Sequence, residues 1–195
     1  MTKKTIYALL GLFLISICCA GCGGEWKAGD ENSPDKKPKA QTDNGQVAEK
    51  RLIEPNQLIS RTEAEAFVGE ALKDGQYDEK PAVGMKKYFY GAAGADSGKF
   101  FQISIQQTAF MPEAALAAGK NPKSIFDNTK NILAEDRIDL NGLGDEAFIG
   151  SIALHILKGN YYITIRVGSP DGRENRKTLE EAGRKALENL QKLMV

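Results

Sequence analysis

Apolar residues first recur with a helical period in residues 60–75. Ser60 and Glu63 hold the two positions of a capping box, in which side chains satisfy backbone N–H groups at the start of a helix. The apolar positions that follow are three or four residues apart: Ala64, Phe67, Val68, Ala71 and Leu72. The pattern predicts one helix that ends at Gly75 and contains Gly69, which costs about 1 kcal/mol relative to alanine.

A period of two, which is typical of strands, follows in residues 99–108. Three apolar residues alternate there with three polar ones: Phe101, Ile103 and Ile105 with Gln102, Ser104 and Gln106. The alternation predicts a half-buried strand with one wet face, preceded by a strand over residues 84–90. We assign the aromatic residues of this pair to the core, with a ligand groove or a partner surface as the alternative; they are Tyr88, Phe89, Tyr90, Phe100 and Phe101.

The clearest local signal is a hairpin between residues 151–158 and 161–168. Gly159 and Asn160 form a two-residue sequence of the kind that tight hairpin turns require. Closing this turn places six apolar residues on one face, in the pairs Ile156–Ile163, Leu154–Ile165 and Ile152–Val167. The opposite face then carries Ala153, His155, Thr164 and Arg166.

Two further stretches have helical periods. Asn121 is a typical N-cap and Pro122 a typical first residue for a helix, and a shorter helix over residues 113–118 precedes it. The apolar face of the capped helix consists of Ile125, Phe126, Thr129, Ile132 and Leu133. A terminal helix over residues 174–194 has the apolar face Leu179, Ala182, Ala186, Leu187, Leu190, Leu193 and Met194.

The order of these elements predicts the fold class. It is helix, two strands, helix, two or three strands, helix, with Phe148 and Ile149 entering a strand before the hairpin. We therefore expect an α+β domain over residues 51–195, with an antiparallel sheet of about five or six strands covered by three helices and divided into two αββ halves. This domain contains no cysteine, so its core must form without disulfides.

The start of the chain has a different composition. Lys3 and Lys4 precede an apolar run over residues 6–17, which is shorter than the roughly 20 residues that span a bilayer. Small residues then lead into Cys22. The segment resembles the lipobox of bacterial lipoproteins, whose cysteine is diacylated and becomes the new N-terminus, although Cys19 stands where that family prefers Leu, Val or Ile. A secreted protein with an incidental Cys22 is the alternative.

The lipobox resemblance implies a signal peptide over residues 1–21 and lipidation of Cys22. Residues 22–50 have almost no hydrophobic residues, so we expect a flexible tether with a root-mean-square span of roughly 30 Å. The chain would then be extracytoplasmic and held to a bacterial membrane by its lipid. Position 23, directly after the cysteine, is Gly. An Asp at this position would resemble an inner-membrane retention signal, so Gly23 favours the outer membrane if the cell is Gram-negative.

The domain carries a second resemblance. The capped helix, the sequence G-L-G-D-E-A-F at residues 142–148, the apolar hairpin and the terminal amphipathic helix together look like small bacterial envelope lipoproteins. Domains of that family are similar to the PsbP-like α/β/α sandwich, and in them this motif is a structural turn that enters a strand. The resemblance implies a binding or assembly module with an envelope protein as its partner.

Composition excludes several functions. Acidic and basic residues are equal in number, 26 of each, and form no basic stripe, which argues against nucleic acid as a partner. One histidine and no cysteine in the domain exclude the usual zinc site, and no glycine-rich phosphate loop is present. Asp145 and Glu146 are neighbours that would point to opposite faces of a strand, so we assign them to turn chemistry.

We therefore predict no catalytic, metal or cofactor site, and a binding module in place of an enzyme. The alternative is a small-ligand-binding or hydrolytic domain with a cleft over the sheet, in which His155, Thr164 and Arg166 serve as candidate ligand residues. Without such a cleft, His155 is an ordinary strand histidine on a semi-exposed face.

Overall fold

The computed structural model describes residues 51–94, 98–168 and 175–195, apart from the side chain of Asn175. All of them belong to one compact unit, Asn44–Val195. The predicted signal peptide, the predicted tether and the lipidation site Cys22 lie outside the described residues.

One antiparallel sheet organises the described chain, with seven strands in the order β1-β2-β3-β7-β6-β5-β4. Two meanders, β1 to β3 and β4 to β7, meet where β3 pairs with β7. The strands are β1 Gln76–Lys80, β2 Met85–Gly91, β3 Phe100–Gln107, β4 Ile138–Leu140, β5 Glu146–Gly150, β6 Ala153–Lys158 and β7 Tyr161–Gly168. The α+β class and the antiparallel sheet are confirmed, with seven strands in place of five or six. The additional strands, β1 and β4, form the edges, where little apolar surface is buried and the sequence has little alternation.

Helices cover both faces of the sheet. The described residues form five α-helices: α1 Pro55–Leu58, α2 Arg61–Val68, α3 Glu113–Ala117, α4 Pro122–Ile132 and α5 Asn175–Met194. Helices α1, α2 and α5 pack on the face that carries Ile103, Ile156 and Ile165, which belongs to the main core. Helix α4 packs on the opposite face, where Phe126 joins a second cluster with Phe148, Leu157 and Tyr162.

The second cluster explains why the prediction of a wet face on β3 is wrong. Side chains alternate along a strand, so the polar residues of β3 share a face with the cluster around Phe126. Ser104 and Gln106 are buried there, at 6% and 8% exposure, and the amide of Gln106 donates to the carbonyl of Val83. The face is polar in sequence and covered in the fold.

Helix α2 is shorter than its apolar period predicts. Its capping box forms as expected, since the Ser60 side chain accepts from the N–H of Glu63. The helix ends at Gly69, which takes a left-handed conformation with φ of 78° that glycine adopts without strain. The chain then turns, so Leu72 is buried in a β-bridge with Ala92 instead of extending the helix.

The predicted pairings of the β6–β7 hairpin are confirmed for Ile156–Ile163 and Leu154–Ile165. The third pairing is wrong, because Ile152 lies in the turn before β6 and Ala153 starts the strand. Two large residues assigned to apolar helix faces are also exposed: Ile132 at 72% and Met194 at 48%. Each of these two residues lies in the last turn of its helix, α4 or α5.

The first described residues are held at one end of the sheet. The fully buried side-chain amide of Gln107, at the end of β3, exchanges two hydrogen bonds of 2.9 and 2.8 Å with the backbone of Ile53. Glu54 pairs with the buried ammonium of Lys86, and Arg51 donates to the carbonyl of Leu193 near the end of α5. The chain therefore enters the domain where β3 and α5 end.

The motif at residues 142–148 supports the tight turn between β6 and β7. The Asp145 carboxylate accepts hydrogen bonds from the Lys158 ammonium at 2.7 Å and from the Gly159 N–H at 2.6 Å. The Gly159 bond, together with Lys158, lowers the pKa of Asp145. Gly144 has φ of 71°, and a Cβ there would lie 2.5 Å from the carbonyl oxygen of Leu157. These contacts agree with the turn chemistry expected for Asp145.

Two glycines of this motif offer a matched comparison. Gly142 also has a positive φ, 73°, but a Cβ there would meet nothing within 4 Å. We expect Gly142→Ala to cost about 1 kcal/mol of unfolding free energy through backbone strain alone. Gly144→Ala should cost about 1–3 kcal/mol more, because Leu157 must move. Equilibrium urea unfolding measures both costs, and equal costs would contradict the supporting role of Gly144.

Candidate functional site

His155, Thr164 and Arg166 share one face of β6 and β7, as the hairpin pattern predicts, but they do not form one site. His155 is 7% exposed and stacks on Phe148, with ring centroids 4.6 Å apart. Its Nδ1 lies 2.7 Å from the hydroxyl of Tyr162, which in turn packs edge-on against Phe126 of α4. The place that a cleft at His155 would need is therefore filled by aromatic side chains.

Burial also sets the charge of His155. It lowers the pKa of the imidazole from 6.5 to about 4, so the ring is neutral at pH 7. Its Nε2 is buried without a hydrogen-bond partner among the described residues. Neither His155 nor Thr164 lines any of three cavities found among the described residues. The imidazole thus packs against the aromatic side chains of the second cluster and away from these three cavities.

Arg166 has a different environment, because it lies near the end of β7. Its guanidinium carbon lies 5.7 Å from the ring centroid of Phe100, a cation–π contact. Its Nε is buried with no hydrogen-bond partner, and its guanidinium forms no ion pair with any residue that the structure describes. Arg166 is therefore a half-buried cation without a counter-ion in this part of the chain.

Arg166 lines a cavity of about 510 Å³ at the end of the sheet, which we call the end cavity. Its apolar walls come from both faces of the sheet and from α5: Phe100, Ile138, Ile149, Ile152, Val167 and Leu179. Its charged residues are Asp136, Arg166 and Arg176. Two of the aromatic residues assigned to the core, Tyr90 and Phe101, are buried in the main core. Phe100 instead stacks on Phe89 and lines the end cavity.

A strained turn stands at the rim of the end cavity. Ser151 and Ile152 connect β5 and β6 with φ of 47° and 61°, the positive values of a two-residue hairpin turn. Asn and Gly adopt such angles readily, whereas a β-branched residue there is an outlier. Ile152 is also 66% exposed, so burial does not compensate for its strain. Sequence analysis missed this turn because Ser-Ile carries no turn signal.

The opposite end of the sheet holds a second cavity of about 510 Å³, beside the end of α5. Its apolar residues are Leu143, Leu187, Leu190 and Met194. Its charged residues are already paired: Lys158 with Asp145, Arg184 with Glu180 and Glu188 with Lys192. A third cavity, near Tyr161, has a volume of only about 10 Å³. Of these three cavities, the end cavity alone combines apolar walls, a strained turn and a cation that has no counter-ion among the described residues.

The described residues contain neither a group of metal ligands nor a membrane-spanning helix. Within the described ranges, no group of three or more His, Cys, Asp or Glu side chains is arranged to hold a metal ion. No helix in those ranges is long and apolar enough to cross a bilayer. Comparison with protein-family models, with curated protein sequences and with solved structures finds no match for this chain.

The buried histidine predicts an acid-sensitive fold. The pKa of His155 is 6.5 in the unfolded chain and about 4 in the folded chain, so the unfolded chain binds a proton more readily. The contribution of His155 to the free energy of unfolding is therefore complete above pH 6.5 and is lost as the pH falls towards 4. The loss attributable to His155 is about 3 kcal/mol over this window. Chemical unfolding between pH 4.5 and 7.5 should show it, and His155→Phe should remove the slope. Equal wild-type stability at pH 5 and pH 7 would contradict the prediction.

The strained turn predicts a substitution that stabilises the fold. Ile152→Gly relieves the backbone strain at the positive φ of this position. Little buried surface is lost, because the Ile152 side chain is exposed. We expect the unfolding free energy to rise by about 0.5–1 kcal/mol, since relief of strain exceeds the entropy that glycine adds to the unfolded chain. Ile152→Ala keeps a Cβ at the same φ and should show no such gain. A glycine variant less stable than the wild type would show that the side chain supports the fold.

Proposed function

We propose that this chain is a lipid-anchored binding module of a bacterial cell envelope, and that its binding surface is the end cavity. The observation that carries the proposal is Ile152, a large apolar residue that is exposed and held at positive φ. It lines the same cavity as Arg166, which has no counter-ion among the described residues. Neither local backbone preference nor packing accounts for an isoleucine there. Strain of this kind persists at sites where a side chain serves binding.

The position of the tether supports this role. The lipobox resemblance implies a lipid on Cys22, with residues 22–50 as the link to the domain, and Gly23 favours the outer membrane if the cell is Gram-negative. That link joins the domain at Arg51, beside the ends of β3 and α5. The end cavity lies at the other end of β3, an eight-residue strand whose ends are roughly 25 Å apart at about 3.3 Å per residue. The tether attachment and the end cavity therefore lie at opposite ends of β3.

The fold supports the resemblance to PsbP-like domains as part of the same proposal. Helices lie on both faces of the sheet, which is the layer order of an α/β/α sandwich. Each meander also follows a helix, since α2 precedes β1 to β3 and α4 precedes β4 to β7. This order is an extended version of the two predicted halves. Binding and assembly are the roles that the resemblance implies.

The small-ligand alternative also keeps support, but at a different place. Arg166 lines the end cavity, whereas His155 is neutral and enclosed by Phe148 and Tyr162. A general base must reach the proton that it removes, and the buried imidazole lines none of the three cavities described above. We therefore propose a binding role without catalysis.

Site-specific photo-crosslinking in cells tests the proposal. A benzoylphenylalanine residue replaces Ile152 in one full-length protein and Met194 in another. Both positions are exposed, at 66% and 48%, and each lines a cavity of about 510 Å³ at opposite ends of the sheet. We expect one dominant adduct, detected by mass spectrometry, from position 152 and none from position 194. Equal yields at the two positions, or an adduct from position 194 alone, would rule out the end cavity as the binding surface.

A further inference from the structure

We infer that the end cavity binds a single-chain amphiphile: an alkyl chain in the apolar part of the cavity and an anionic head group on Arg166. The inference rests on the proposed function and names the chemical class of what is bound. Volume, charge and the scarcity of polar partners in the cavity lead to it.

The cavity has the size and lining of a small-molecule site. Sites for small ligands are concave, measure roughly 300–1,000 Å³ and are mostly apolar with a few placed polar groups. The end cavity measures about 510 Å³. Ile149, Val167 and Leu179 form its interior walls, and the exposed side chains of Ile138 and Ile152 stand at its rim. The volume exceeds that of a single alkyl chain of about ten carbons, which leaves room for its head group.

The charge of the cavity favours an anion at Arg166. Arg176 already pairs with Glu180, at 3.1 Å between Nε and Oε1. Asp136 is exposed, so water solvates its carboxylate. Arg166 alone combines a buried, unpartnered Nε with the absence of an ion pair to any described residue. A half-buried guanidinium without a counter-ion is costly, and its planar fork matches the oxygens of a carboxylate or phosphate.

The scarcity of polar partners favours an alkyl chain over a peptide. A bound peptide would bring amide groups that each need a hydrogen-bond partner once water is excluded. The only uncharged polar side chain among the described lining residues is that of Ser151. Methylene groups need no partner and contribute about 0.8 kcal/mol each when they are buried. The geometry therefore points to one anionic head and one apolar chain.

The size of the cavity favours a single-chain amphiphile over a lipid of the anchoring bilayer. Bilayer lipids carry two long acyl chains, whereas the end cavity measures about 510 Å³ and offers one half-buried cation without a counter-ion among the described residues. We therefore commit to a free carboxylate with a single alkyl chain as the occupant.

Calorimetric titration tests the inference with decanoate as the probe. The protein is the mature chain with Cys22→Ser, so no lipid and no detergent compete for the site. We expect saturable binding of decanoate at pH 7 and binding of decanol at least about tenfold weaker, because decanol has no charge for Arg166. Decyl phosphate, whose head group is a phosphate in place of a carboxylate, is titrated as a second anionic probe. Equal affinities for decanoate and decanol would overturn the inference.

Two arginine variants locate the site. Arg166→Gln should weaken decanoate binding by about tenfold or more and leave decanol unchanged. Arg184→Gln removes a cation at the opposite end of the sheet and should change neither affinity. Circular dichroism confirms that both variants fold, and Arg166→Lys, which keeps the charge without the fork, should bind decanoate with intermediate affinity. Unchanged decanoate binding by a folded Arg166→Gln would overturn the assignment.

Sedimentation with vesicles distinguishes a free amphiphile from a membrane lipid as the occupant of the end cavity. Vesicles of phosphatidylcholine with phosphatidylglycerol present anionic heads whose chains stay in a bilayer. We expect the unlipidated chain not to sediment with them, and Arg166-dependent sedimentation would assign the cavity to membrane lipid instead. A protein adduct from position 152 in cells, together with no decanoate binding, would overturn this inference and leave the proposed function standing.

Discussion

The pairing of β3 with β7 is the constraint on which the rest of the structure depends. It joins two meanders that are distant in sequence, and it brings Ile103 and Ile105 opposite Ile165 and Ile163. Side chains of one strand point alternately to the two faces, so this single register assigns every residue of both central strands to one core or the other. Helices α2 and α5 then cover the first face, and α4 covers the second.

The same register explains why three neighbouring polar candidates have different roles. His155, Thr164 and Arg166 share a face, but α4 covers β6 and β7 only in part. His155 lies beneath it among aromatic rings, where the neutral imidazole is the favoured form. Arg166 lies near the end of β7, against Phe100 and open to the end cavity. His155 pairs with Thr164, and two residues along β7 separate this buried site from Arg166, which lines the end cavity.

The turn at Ser151 and Ile152 shows a local cost that the fold does not require. A hairpin between β5 and β6 forms more easily with Asn-Gly, because both positions need a positive φ. The remainder of the domain tolerates the strain because its core is extensive. Gln107 holds the start of the described domain at Ile53, and α5 packs on the same core. Under the proposed function, stability and binding are thus in opposition at this exposed isoleucine.

The sequence by itself determined the features that depend on near neighbours. These include the caps at Ser60 and Asn121, the Gly159–Asn160 turn and the alternation along β3, because neighbouring residues along the chain supply the hydrogen bonds and the periodicity. Only the tertiary structure decided where Gly69 would end a helix, that α4 would cover the polar face, and that residues of β3, β4, β5, β7 and α5 would enclose a cavity. Those features depend on contacts between segments far apart in the chain, which no local pattern encodes.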